Sequence, residues 1–180
     1  LSGTGYIVLS MAFQQQGWLN LFTQYLLPRV FAYWSLGYTL SLLREAIGSE
    51  QLNFSELKGL IWRYPLSSVL LLASLLNIIG MPLFSLFPSN RILLSILSSE
   101  SMPFRLFVSL GLIGMILMVL KVLGVVIQAP EDVDQDKKER TLMIIPVILI
   151  ILIMVLGGIF PQFFTAPVQD LLISFQNLLN

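Results

Sequence analysis

Hydrophobic positions in this chain come in long unbroken runs, not in the alternating or half-and-half patterns of water-facing elements. Residues 19–43, 65–80, 104–128 and 142–164 are apolar along nearly their whole length. Residues 81–97 form a weaker run, interrupted by Pro82, Pro88 and Arg91, and residues 1–13 are apolar but short, reading as the end of a helix. A bilayer core of about 30 Å asks for roughly 20 apolar residues of helix. The pattern therefore predicts an all-α integral membrane bundle of about five to six transmembrane segments, one of them broken. A barrel strand would alternate, whereas residues 147–156 are apolar at every position. After Pro167, residues Leu171, Leu172, Phe175, Leu178 and Leu179 recur at helical spacing. They oppose Gln169, Asp170, Gln176 and Asn177, which predicts a C-terminal amphipathic helix on a membrane surface or a partner. The chain then divides into a membrane helical domain over residues 1–166 and a tail helix over 167–180.

The polar links refine this picture. Within residues 44–64, Asn53 is placed to cap a short helix, with Glu56 three residues on as its capping-box partner. That helix should run through Leu60 and Trp62 and stop before Pro65. Trp62 and Tyr64 fall where an aromatic belt belongs. Gly80-Met81-Pro82 stops one helix and starts another, and Pro88 interrupts the next. A helix broken in this way frees backbone carbonyls inside the membrane; a tight turn between two helices fits the same residues. With the broken run counted as a crossing, the 44–64 link and the turn near residues 100–103 should share one side, and orientation stays undecided on Lys and Arg counts. Residues 129–140 are the most charged stretch. Asp132, Asp134 and Asp136 have the spacing of a calcium loop, but Lys137 and Met143 occupy the positions where such a loop needs Gly and Glu, so it reads as a solvated link.

Composition narrows the function classes. Charged residues are 11% of the chain and hydrophobic residues 56%, against about 25% charged in soluble domains. Such a chain cannot cover a water-facing surface, which excludes a soluble enzyme. The formal net charge is zero, so there is no basic footprint for nucleic acid. The absence of cysteine and histidine removes thiolate and imidazole chemistry. No residue set for a flavin, haem or iron–sulfur group is present, so no cofactor is expected in this chain. The chain starts at Leu1, without a basic leader, and reads as a processed chain or as a segment of a longer one.

Two basic residues fall inside apolar runs. Lys121 lies seven residues from the end of its run, close enough to snorkel to the headgroups. Arg29 follows Pro28 near the middle of its run, and no acid lies at comparable depth. Its readings are a structural or inter-subunit contact and a proton or ion path.

The order of these features resembles the C-terminal part of the antiporter-like membrane subunits of respiratory complex I, of the NADH dehydrogenase subunit 2, or subunit N, type. The resemblance is carried by Gly3-Thr4-Gly5-Tyr6; by Tyr25-Leu26-Leu27 and then Gly37; and by Leu57-Lys58-Gly59-Leu60 followed by Arg63-Tyr64-Pro65. It continues through Gly80-Met81-Pro82, where the family has Gly-Ile-Pro, then Leu120-Lys121-Val122, Ala129-Pro130-Glu131, Leu156-Gly157 and Phe160-Pro161. The match runs along nearly the whole chain in one order. It departs where the family continues to a buried lysine: this chain has Phe87-Pro88-Ser89-Asn90, so that position is Asn90, or is displaced to Arg91. A family histidine reads as Thr4, Lys121 matches a position that is usually basic, and Arg29 is no family signature. The earlier helices of an intact subunit have no counterpart here. The resemblance implies a split or truncated antiporter-like subunit that contributes to proton translocation or its scaffold. Any surviving path would use Arg29, Lys121, Asn90 and Arg91, around the break at Gly80, Pro82 and Pro88. The implied partners are other membrane-arm subunits, including a separate N-terminal half, and lipid, in the mitochondrial inner membrane or a bacterial plasma membrane. Two other readings stay open: a subunit of a stand-alone cation/proton antiporter, and a non-transporting structural membrane protein.

Overall fold

A computed structural model of the chain describes residues 18–48, 53–98, 102–129 and 144–162, with residues 166 and 174. The elements are α1 (Trp18–Ile47), α2 (Leu60–Arg63), α3 (Pro65–Ile79), α4 (Phe87–Ser98), α5 (Met102–Ile127) and α6 (Ile144–Ile159). No strand occurs among the described residues, in line with an all-α fold. The N-terminal run, the 130–143 link and the tail helix beyond Pro167, save Ser174, lie outside the described residues.

Proline marks where helices begin. Pro65 is the first residue of α3, and Pro88 and Pro103 are the second residues of α4 and α5. The first turn needs no N–H from these positions, and the fixed φ of proline suits the helix. Pro88 was expected to interrupt its run; it opens α4 instead. Pro146 is the third residue of α6, and Pro28 lies deep inside α1.

Helix α3 is the centre of the bundle. Its buried residues, among them Ser67, Ser68, Ala73, Ser74 and Asn77, face more than one side. Small side chains let neighbouring backbones come close. One core cluster joins Leu42 of α1, Leu70 and Ala73 of α3, and Val147, Ile150 and Met154 of α6. A second joins Leu43, Leu60, Tyr64, Leu71, Val122 and Val126, tying α1, α2 and α3 to α5. Several buried hydroxyls serve their own helix: Ser35 Oγ donates to the Ala32 carbonyl, Thr39 Oγ1 to Ser35 and Ser68 Oγ to Tyr64, each at 2.7 Å. They can be buried without a partner on another helix.

The 53–64 link departs from expectation in two ways. The Asn53 N–H donates to Glu56 Oε2 at 3.1 Å, one half of the capping box. The helix nevertheless begins only at Leu60, because Gly59 takes the left-handed conformation at φ 68°. The residues before it form turns. Tyr64 is buried, not in an aromatic belt, and its hydroxyl donates to the Ala46 carbonyl at 2.8 Å. Trp62 is exposed and donates from Nε1 to the Ile127 carbonyl at 3.3 Å, while Gly59 N–H donates to the Val125 carbonyl at 3.2 Å. These bonds bring the ends of α1 and α5 and the start of α3 together at one end of the bundle, the Tyr64 end.

At the opposite end α3 stops at Gly80. There Gly158 of α6 lies against Leu83. The α5 helix has 26 residues, about 39 Å of rise, so its start lies away from the Tyr64 end. Met102, expected to share a side with the 44–64 link, therefore lies away from it. The α4 helix leaves the Gly80 end and turns back into α5 without crossing to the Tyr64 end.

One helix among those described, Val108–Ile127 within α5, is long and apolar enough to cross a membrane. The α3 and α6 helices are apolar but shorter, with 15 and 16 residues. The α1 helix has 30 residues, but its polar and aromatic content keeps its hydropathy low. Large apolar side chains cover the outside: Leu110, Ile113, Leu117 and Met118 on α5, and Ile145, Ile148, Leu149 and Leu152 on α6, are all exposed.

Candidate functional site

The break after α3 is built by two amides and a glycine. Gly80 adopts φ 78°, a conformation that a side chain makes costly. Its N–H donates to the Asn77 carbonyl at 2.9 Å, and the Met81 N–H to the Leu76 carbonyl at 3.1 Å. Together these form a Schellman end. The fully buried Asn77 then holds the chain that follows. Its Oδ1 accepts from Ser85 Oγ at 3.2 Å and from the Leu86 N–H at 3.1 Å. From the other side, Asn90 Nδ2 donates to the Ile79 carbonyl at 3.0 Å. A Cβ at position 80 would run into that Asn90 amide. Leu83, in the turn between, has φ 83°, uncommon for a side chain of this size.

This arrangement opens a pocket of about 140 Å³. Arg29 reaches it from α1, Asn90 and Arg91 from α4, and Gly80 forms part of its wall. Phe87, Leu94, Leu112 and Met115 supply apolar lining. Three of the four residues read as polar elements of a path thus meet in space, although 61 positions or more separate Arg29 from the other two. Arg29 is 5% exposed. Its Nη2 donates to the Tyr33 hydroxyl at 3.4 Å, and the guanidinium lies 5.6 Å from the Tyr33 ring centre. Tyr33 is one turn further along α1, so an i,i+4 contact and a cation–π contact coincide. Arg91 is exposed.

Lys121 belongs elsewhere. Its Nζ lies 5.5 Å from the centre of the Phe54 ring, in the link at the Tyr64 end. It bends toward the nearer end of its helix, as a snorkelling lysine does. Of the break residues, Gly80 shapes the pocket wall, Pro82 lies in the turn and Pro88 starts α4.

Sequence reasoning missed Asn77, which sat unremarked in a run treated as apolar. Its signal was a lone amide three residues before Gly80, on the helix turn that must end there. Ser74 Oγ and Asn77 Nδ2 are buried without a hydrogen-bond partner among the described residues, so one face of α3 keeps unused polar capacity beside the break.

The pocket offers two cationic guanidiniums and an amide. Among the described residues its lining contains no Lys, Asp, Glu or His. Among the described residues there is no cluster of acids able to hold a metal ion. Such a site can bind an anion, order water or seat a carboxylate; neither an amide nor a guanidinium relays protons near neutral pH. No protein-family model matches the chain, and no curated protein matches it significantly.

Proposed function

We propose that this chain is a membrane-arm subunit of respiratory complex I, equivalent to the C-terminal part of an antiporter-like subunit, and that its own break site serves as scaffold and not as a titrating relay. The reading rests on the order of motifs from Gly3 to Pro161 and draws support from the helical fold and the apolar exterior. It makes α1, α3, α5 and α6 membrane-crossing helices, with α4 held at one side, in a mitochondrial inner membrane or a bacterial plasma membrane. The observation that carries the scaffold role is the pocket at Gly80. At Asn90, which with Arg91 is one of the two positions standing where the family has a buried lysine, the side chain donates to the Ile79 carbonyl, completing the end of α3. An amide that caps a helix has a structural task and holds no exchangeable charge.

The partner set tests this reading. Gentle solubilisation and a native gel should show the chain migrating with NADH-oxidising and quinone-reducing subunits. Migration alone, or with other antiporter-like chains only, would overturn the reading in favour of a stand-alone cation/proton antiporter. Within the complex, Arg29→Ala should lower the amount of assembled enzyme and leave protons moved per electron unchanged in what assembles. A normal amount of complex with a lower proton ratio would make the site a relay after all.

A further inference from the structure

We propose that the pocket between α1, α4 and α5 holds the phosphate of an anionic membrane lipid, with acyl chains along the outward faces of α4 and α5. The proposal needs only the membrane-crossing part of the functional reading, not its place in complex I.

Charge is the first argument. Arg29 and Arg91 converge on one pocket, with no acidic residue among its described lining. Arginine presents several N–H donors in a planar fork that matches phosphate geometry. Arg91 makes no ion pair among the described residues and stands exposed where the pocket meets the outside.

Depth is the second. From its start at Pro65, beside the Tyr64 end, α3 has 15 residues before Gly80, about 22 Å of rise. Leu112, also in the lining, is 15 residues from the end of α5 at Ile127, again about 22 Å. In a hydrocarbon core of about 30 Å, both distances put the pocket close to the far leaflet's headgroups. A long arginine side chain spans the remaining gap. Arg29 is therefore not a mid-membrane charge.

The third argument is the wall. Phe87, Leu94 and Met115 line the pocket itself, and Ile113 and Leu117 on α5, from the pocket back toward the Tyr64 end, are exposed. An ion that is only an anion gains nothing from such a surface; a lipid fills it with its chains, burying apolar area as the phosphate binds.

The test uses the full chain in its native assembly, exchanged into lipid-free detergent. It is titrated with dioctanoyl phosphatidylglycerol, dioctanoyl phosphatidylcholine and inorganic phosphate, and adducts are counted by native mass spectrometry on the chain's own peak. Phosphatidylglycerol should bind at a saturable site about tenfold or more tightly than phosphatidylcholine. Arg91→Gln, at an exposed position, should weaken it about tenfold, in the range of a charge-assisted hydrogen bond. Arg29→Gln should do the same where the variant folds. Equal binding of the two lipids, or no effect of Arg91→Gln, overturns the proposal. Inorganic phosphate displacing the lipid at equal concentration makes this a free-anion site and overturns it too. Loss of a neighbouring subunit on Arg91→Gln, with no lipid bound to the wild type, assigns the pocket to a partner's carboxylate. Release of the chain by alkaline carbonate overturns the membrane reading itself, separately from lipid selectivity.

Discussion

Asn77 shows how much one side chain can hold. Its Oδ1 takes a hydroxyl and a backbone N–H across the break, and both donors, on Ser85 and Leu86, are buried. Replacing it by leucine keeps the branching at Cγ and orphans both. Asn77→Leu should lower stability by about 2–4 kcal/mol, read as a fall in thermal midpoint in detergent. Ser35→Ala and Thr39→Val, which remove bonds made only within α1, should stay within about 1 kcal/mol. Equal losses at all three positions would show that burial, and not bridging, sets the effect. From sequence these residues look alike: small polar groups in apolar runs. What separates them is whether the acceptor lies on the same helix or across a turn, and that depends on where the chain folds back.

At the scale of elements, glycine decides how closely helices meet. A Cβ at Gly158 would overlap the Leu83 carbonyl and the backbone that follows, and one at Gly80 would overlap the Asn90 amide. At Gly80 the left-handed φ adds strain for any side chain. Gly158→Ala and Gly80→Ala should each cost about 1–3 kcal/mol. Gly111→Ala and Gly114→Ala, where a Cβ meets nothing, should be neutral or slightly stabilising through helix propensity. Thermal unfolding of the four variants separates the pairs, and equal midpoints would contradict the close approach. The helices were legible because unbroken apolar runs longer than a strand read as helix. Their ends were legible where proline or glycine forces one, as at Pro65 and Gly80. The start of α2 was not, since a capping box at Asn53 looks complete in sequence while Gly59 resets the backbone afterwards. Nor was the path of α4, because a run of its length can cross a membrane or turn back within one leaflet, and only the bonds of Gly59 and Trp62 to the end of α5 decide.

For the whole molecule, that turning back changes the charge balance. Both ends of the α5–α6 link lie at the Tyr64 end, like the 44–64 link. Arg44, Lys58 and Arg63 thus lie toward the Tyr64 end, and Lys137, Lys138 and Arg140 fall in sequence between Ile127 and Ile144, against Arg29, Arg91 and Arg105 toward the other end. Short links rich in Lys and Arg stay on the cytoplasmic or matrix side, so on the proposed membrane-arm reading the Tyr64 end should face inward. The chain has no cysteine, which makes single-cysteine labelling clean. Ser55→Cys should resist a membrane-impermeant maleimide until the membrane is opened, and Met102→Cys should react directly. The reverse pattern would refute this orientation. Of the candidate site, the residue types were legible and their grouping only in part. Arg29, Asn90 and Arg91 converge because α1 and α4 both pass the end of α3, whereas Lys121, on the same helix as Leu112, is carried about two turns past the pocket toward Phe54.

The fit of Gly158 against Leu83 also has a meaning in time. Chains are made from the N-terminus, and earlier segments fold while later ones are still being added. The seat for Gly158 is a turn that exists only once Asn77 has gathered Ser85 and Leu86, long before α6 leaves the ribosome. The last helix therefore docks onto a surface that its predecessors must have finished. An error at the break should be felt as a helix that never settles, leaving its apolar flank open to the quality-control machinery that clears unfinished proteins.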